Sequence, residues 1–192
     1  MTTIRGAVFS LLFCIAYIMA ETPDAVYAGE SQDLFFLSPA ADWYFPSDGK
    51  TKNAFGNSWG GFGVTLNLEA LNEDGGWGWD NSRLYPYIGF FHADEGGSDA
   101  YLVPVGIEFR WHFGDSFFRP YIGLAGSVYG VKFEHRGGGI DTGWKGAWGG
   151  RLSVGMDITR WFSVQGAYNF VSDVKGYDMS GFSVQGKFKI YF

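Results

Sequence analysis

From Phe182 to Phe192 the chain alternates with hardly a break. Phe182, Val184, Gly186, Phe188, Ile190 and Phe192 fall on one side, and Ser183, Gln185, Lys187, Lys189 and Tyr191 on the other. A repeat of two puts these sets on opposite faces of a β-strand. The pattern recurs upstream. Phe162, Val164, Gly166, Tyr168 and Phe170 oppose Ser163, Gln165, Ala167 and Asn169; Leu152, Val154, Met156 and Ile158 oppose Arg151, Ser153, Gly155 and Asp157. Tyr101, Val103, Val105, Ile107, Phe109, Trp111 and Phe113 oppose Glu108, Arg110 and His112, and Phe62, Val64, Leu66 and Leu68 oppose Thr65, Asn67 and Glu69. Three segments alternate less cleanly. Phe117–Phe133 sends Ile122, Leu124, Gly126 and Val128 one way and Tyr121, Ser127 and Tyr129 the other; Leu84–Phe91 has two apolar faces; Leu34–Phe45 contains Pro39, which a central strand tolerates poorly. Counting all of them predicts eight strands, the even number of a bacterial single-chain barrel.

In a soluble sandwich the polar sides of such strands face water; in a membrane barrel the apolar sides face lipid and the polar sides a packed or wet interior. The start of the chain decides between them. Arg5 precedes a mostly apolar run from Ala7 to Ala20, long enough for a secretory signal and shorter than the roughly 20 apolar residues of a spanning helix. Cleavage is expected after Ala28, with Ala20 the alternative, leaving residues 29–192 as one barrel domain. Cys14 leaves with the signal, so no disulfide framework is expected. Aromatic residues make up 20% of the chain and glycines number 30. With few segments of helical period to cover a sheet, that content suits a barrel with interfacial girdles. The net charge of −6 argues against nucleic acid as a partner.

Connection lengths orient the barrel. Gly114-Asp115-Ser116 and Thr159-Arg160 are tight, whereas Pro46–Ser58, Ala93–Ser98, His135–Gly143 and Asp173–Ser180 are longer and rich in Gly, Asp and Lys. Short periplasmic turns opposite longer extracellular loops are the outer-membrane arrangement, and only Asn72–Ser82, with Trp77 and Trp79, departs from it. Trp111, Phe113, Phe117, Phe118, Tyr121, Trp161, Phe162, Tyr191 and Phe192 are predicted near the short turns, as an interfacial belt. The expected fold is all-β: a transmembrane up-and-down antiparallel barrel of eight strands behind a cleaved signal peptide.

With that signal, the hairpin-connected strands, Arg119-Pro120-Tyr121-Ile122-Gly123 and the terminal Lys189-Ile190-Tyr191-Phe192, the chain resembles the small outer-membrane β-barrel superfamily, which includes the OmpA transmembrane domain, OmpX-like proteins and the opacity proteins. The resemblance spans the mature chain and rests on architecture and two short motifs. It implies that Phe188, Ile190, Tyr191 and Phe192 form the signal read by the barrel-assembly machinery. It also implies residence among outer-membrane lipid and lipopolysaccharide, and a non-enzymatic role in which exposed loops meet an extracellular partner.

An eight-stranded interior is just wide enough to be filled by side chains. Inward positions carry Glu69, Glu108 and Asp157 against Arg110, Arg151, Lys187 and Lys189, with His112 near the short-turn end. These predict a paired polar network that blocks a channel, since buried charges must be paired. Two alternatives stand beside this reading: a narrow small-solute channel lined by the same charges, and a lipid A-modifying enzyme. For a lipid A deacylase the resemblance would require a general base where Asn169 stands, and an amide takes no proton from serine. A palmitoyltransferase arrangement would draw on His92 or His135 with Ser98 or Ser180. No metal-ligand spacing occurs and no cofactor is expected. Asp94, Glu95 and Asp99 form an acidic tip that reads as a solvated loop, with a divalent cation bridging lipopolysaccharide phosphates as the alternative.

Overall fold

The structure is a computed structural model and describes residues 36–67, 82–113, 118–135, 140–159 and 161–191. The signal segment, Leu34, Glu69, the Trp77–Trp79 connection, Phe117 and Phe192 lie outside the described residues, as does the side chain of His135. Eight long antiparallel strands are described: β1 (Phe36–Pro46), β2 (Trp59–Leu66), β3 (Ser82–Glu95), β4 (Ser98–His112), β5 (Arg119–His135), β6 (Lys145–Asp157), β7 (Phe162–Val171) and β8 (Gly181–Phe188), the last continued by Ile190–Tyr191. A two-residue strand, Ile140–Asp141, pairs the end of β5, and a helix α1 (Gly49–Phe55) lies between β1 and β2. Each strand pairs with the next, and β1 pairs with β8, closing the sheet into a barrel.

The closing seam explains how β1 accommodates Pro39. Its ladder to β8 runs from Pro46↔Gly181 to Ala40↔Lys187, then resumes at Leu37↔Ile190 and Phe36↔Tyr191. Between these stretches the Lys189 amide donates to Trp161 O instead, at 2.7 Å. Proline cannot donate to a ladder, and it falls where the ladder is interrupted.

The register fixes the barrel's width. Partners lead from Pro46 through Gly181, Asn169, Arg151, Ala125 and Glu108 to Tyr85. The constant offsets of the β2–β3 and β1–β2 pairings carry the path on to Phe36, ten residues from its start. For eight strands a stagger of this size corresponds to a tilt of about 40°. Such a lumen has room for side chains and little else.

Outward positions are apolar. Ile88, Val105, Ile107, Ile122, Leu124, Val128, Leu152, Val154 and Val184 are all exposed. Aromatic rims flank them: Trp43, Phe45, Trp144 and Trp148 at the α1 end, and Trp111, Phe113, Phe118 and Phe162 at the end holding the described C-terminal residues. On β4, Tyr101 and Trp111 stand ten positions apart; at ~3.3 Å per residue and ~40° of tilt they are about 25 Å apart along the axis, the height of a bilayer-facing band. The predicted division of faces on β2 and β4–β8 agrees with this burial.

Inward positions pair bulk with its absence. A methyl group at Gly61 would stand 2.6 Å from Phe91 Cδ1, and one at Gly181 2.7 Å from Tyr44 Cζ. Gly123 faces Glu108 and Ser153, and Gly155 faces the Tyr121 ring, too closely for any side chain. Phe91, Tyr44, Glu108 and Tyr121 thus each occupy space that glycine leaves on a neighbouring strand.

Four details refine the sequence-based expectation. Ala93–Ser98 is no open loop: β3 and β4 meet at a two-residue turn, Gly96-Gly97, whose φ values of +62° and +81° suit glycine. Pro46–Ser58 contains α1. Both faces of β3 are apolar because Tyr85, Tyr87 and Phe91 turn inward. Tyr121 is a lumen residue and not part of the rim, 2% exposed.

Leu124 is 65% exposed. In a bilayer, Leu124→Arg is expected to cost about 2–4 kcal/mol, measured by urea unfolding from lipid vesicles; a cost near zero would mean that water and not hydrocarbon meets this wall.

Candidate functional site: the barrel lumen

The α1 end of the lumen is closed by an apolar stopper. Asp48 caps α1 by accepting from Thr51 N at 2.8 Å, and Gly56 ends it at φ +93°, its amide donating to Lys52 O at 2.8 Å. This short helix delivers Phe55 into the barrel, stacked on Phe133 at 4.8 Å and edge-on to Tyr177 at 5.3 Å. Beside it Tyr44 packs against Trp59 and Phe91 at 5.4 and 5.1 Å, with Leu102, Val131, Val174 and Met179 filling the remainder. α1 is tied to the β7–β8 connection: Lys50 Nζ donates to Gly176 O (2.9 Å), Thr51 Oγ1 to Asp178 O (2.8 Å) and Ser47 Oγ to Ser180 O (2.8 Å).

Below the stopper the lumen turns polar. Glu108, 1% exposed, accepts from Arg110 Nη2 at 2.7 Å, from Gln165 Nε2 at 2.8 Å and from Ser153 Oγ. Tyr85 and Tyr121 flank the Arg110 guanidinium, with ring centroids 4.2 and 5.0 Å away. Lys187 donates to Gln165 Oε1. Asp42 accepts from Gln185 Nε2 at 2.8 Å, and Arg151 lies over the Tyr87 ring at 5.1 Å. Nearer the opposite end Asp157 meets Lys189 Nζ at 2.8 Å, with His112 Nε2 3.8 Å away.

The described lumen residues that were predicted therefore fall into two groups, with Arg151 beside the first against the Tyr87 ring. Glu108, Arg110 and Lys187 share the middle layer, where Gln165 links them. Asp157, Lys189 and His112 form the second group. Glu108 and Asp157 do not converge on one cluster, because their contacts lie with different partners. Outward, Phe188 stacks on Trp161 at 6.5 Å, Tyr191 meets the same ring edge-on at 5.2 Å, and Ile190 is exposed.

Sequence reasoning missed Asp42, Tyr85 and Tyr87, and it placed Gln165, Gln185 and Tyr121 on the inward face without giving them a part in the network. Asp42 carried a signal: it is the one charge in the apolar run Ala40-Ala41-Asp42-Trp43-Tyr44-Phe45. α1 carried one too, in the span from an Asp N-cap to a closing Gly.

Among the described residues, those raised for lipid A chemistry do not assemble; the side chain of His135 lies outside them. Asn169 is buried and its Nδ2 donates to Ser183 Oγ at 3.1 Å. His92 lies on the outer face, stacked on Tyr101 at 4.7 Å and 3.4 Å from Asp99, whereas Ser98 is buried on the inner face. Ser180 Oγ is engaged with the backbone of Val171.

No family model matches the chain, and no curated protein matches it. Solved structures do. Neisserial surface protein A matches with a TM-score of 0.54 and 15% identity over 85% of this chain and 100% of that one. OprG from Pseudomonas aeruginosa gives 0.51 and 14% over 85% and 98%, and the outer-membrane enzyme PagL 0.52 and 15% over 81% and 99%. The chain has the fold of the small eight-stranded outer-membrane barrels. A surface protein and an enzyme share that fold, so activity has to be read from the residues each barrel carries.

Glu108→Ala leaves Arg110 and Lys187 buried without their acid, and a loss of about 3–5 kcal/mol is expected in the same unfolding measurement. At the stopper, Thr51 N–H holds the Asp48 carboxyl below its ordinary value. A lowered folded value means that the cap's stabilisation is present above the ordinary carboxylate range and is lost as pH falls through the lowered value. Acidification is expected to loosen α1 and shift Trp59 emission to the red, and Asp48→Asn to remove that pH dependence.

Proposed function

We propose that this chain is an integral protein of the Gram-negative outer membrane, that its barrel is a closed scaffold and neither a channel nor an enzyme, and that it acts through the α1 end. In this reading residues 1–28 are the signal, removed after Ala28 or Ala20, and Phe188, Ile190, Tyr191 and Phe192 are read by the barrel-assembly machinery. The α1 end faces outward, among lipopolysaccharide and within reach of an extracellular partner. The opposite end, to which the sequence gives its shortest connections, faces the periplasm.

The carrying observation is the lumen. An apolar stopper and an ion-paired middle layer lie in series, so a solute would have to displace both. The outer surface at the α1 end supports a surface role by its order. The β3–β4 hairpin is a regular ribbon, and its register with β5 and Ile140–Asp141 sets Asp94, Asp99, Glu134 and Asp141 side by side in one row. The non-enzyme reading is supported by the separation of His92 from Ser98 and by the lumen-facing, hydrogen-bonded Asn169.

Planar-bilayer recording of the refolded mature chain is expected to show no stable conductance; a sustained open level would favour the channel. Mass spectrometry of lipid A from cells with and without the protein is expected to show identical acyl patterns. Gain or loss of a chain would establish an enzyme.

A further inference from the structure

The middle of the lumen is richer in donors than in acceptors. Among the described residues Arg110 Nε, Arg151 Nε and Arg151 Nη2 are buried there with no hydrogen-bond partner from the chain, against only Asp42 Oδ1 and Gln185 Oε1 on the acceptor side. The side-chain types run the same way: Arg110, Arg151 and Lys187 are set against Asp42 and Glu108, three basic groups to two acidic ones. Buried donors without acceptors and buried charges without counterions are both costly.

Arg151 concentrates the two deficits. Its side chain is 3% exposed, and the Tyr87 ring lies against its guanidinium. Nε–H and Nη2–H point from the same edge of that plane in parallel, the edge with which arginine grips an anion through two hydrogen bonds. Among the described residues no acceptor hydrogen-bonds Nε–H or Nη2–H, although the Tyr87 hydroxyl interacts with the guanidinium.

We propose that Arg151 holds a small inorganic anion of halide size inside the closed barrel. The anion supplies one acceptor to both N–H groups and sets a counter-charge beside the guanidinium. Size follows from the surroundings. The stopper lies on one side and the Glu108–Arg110 layer on the other, and in so narrow a side-chain-filled tube a monatomic or similarly compact anion is the occupant that displaces least. Asp42 is the rival occupant of the same edge, because its Oδ1 is unpaired and it interacts electrostatically with Arg151. Gln185 holds it away through Oδ2.

The test uses the mature chain refolded with bromide as the only halide, so that the ion is enclosed as the barrel closes. Diffraction at the bromine edge is expected to give an anomalous peak within hydrogen-bonding distance of Arg151 Nε and Nη2. A water there, or the Asp42 carboxylate itself, would overturn the proposal. In solution, the thermal midpoint of the wild-type barrel is expected to rise with halide concentration and not with gluconate, which is too large to enter. Arg151→Lys keeps the charge but lacks the paired N–H edge, and is expected to lose that halide dependence. A wild-type midpoint equally indifferent to both anions also refutes it. The wild-type crystal decides the matter even if the variant does not fold.

Discussion

Hydrocarbon offers no hydrogen bonds, so a sheet inside it must satisfy its own backbone, and only closure removes the edges. The β1–β8 seam is where this chain meets that demand, and much else depends on it. Closing eight strands with a stagger of ten residues gives a narrow tube. A narrow tube forces the inward side chains into contact, and their contacts decide whether anything can pass. Pro39 sits at the one interruption of the seam, where the missing N–H removes least.

Within the tube two kinds of matter are kept apart. Aromatic and aliphatic groups gather under α1, and charged groups gather in the middle and at the far end. Water would reach the charged layer first if the stopper sat elsewhere. Instead Phe55 and its neighbours keep bulk solvent from that side, which lowers the local dielectric and strengthens the Glu108–Arg110 pair while raising the cost of leaving either partner alone. The tyrosines have a double part here. Tyr85, Tyr87 and Tyr121 fill volume as apolar rings and also present their faces to arginine cations.

The architecture was legible in the sequence because a repeat of two along a strand needs no knowledge of its neighbours. Leu152, Val154 and Val184 announce a lipid face by themselves. What stayed hidden depends on register. Glu108 and Asp157 look alike as inward acids, yet the offsets between β4, β5 and β6 give them different partners, and single strands carry no offsets. β3 was unreadable for a related reason: its inward tyrosines count as apolar until the arginines they cover are placed beside them. Tyr121 was drawn into the rim by its nearness to a short turn, although its parity on β5 already pointed inward. α1 was overlooked because seven residues are too few for a helical period to stand out, even though both of its ends are marked. The Gly96-Gly97 turn looks like an open loop in the sequence because the run of polar residues around it hides the continuing strands.

The fit of large lumen residues against glycines has a consequence for how such a barrel can change over time. Tyr121 cannot be kept while Gly155 grows, nor can Phe91 be kept while Gly61 does. Mutational drift inside the tube is therefore confined to coordinated exchanges, in which a loss of volume on one strand precedes or accompanies a gain on the next. The outer wall is under no such obligation, since fluid lipid conforms to any greasy profile. Two barrels of this kind can thus share almost no letters on the outside and still carry, within, the same total bulk distributed differently.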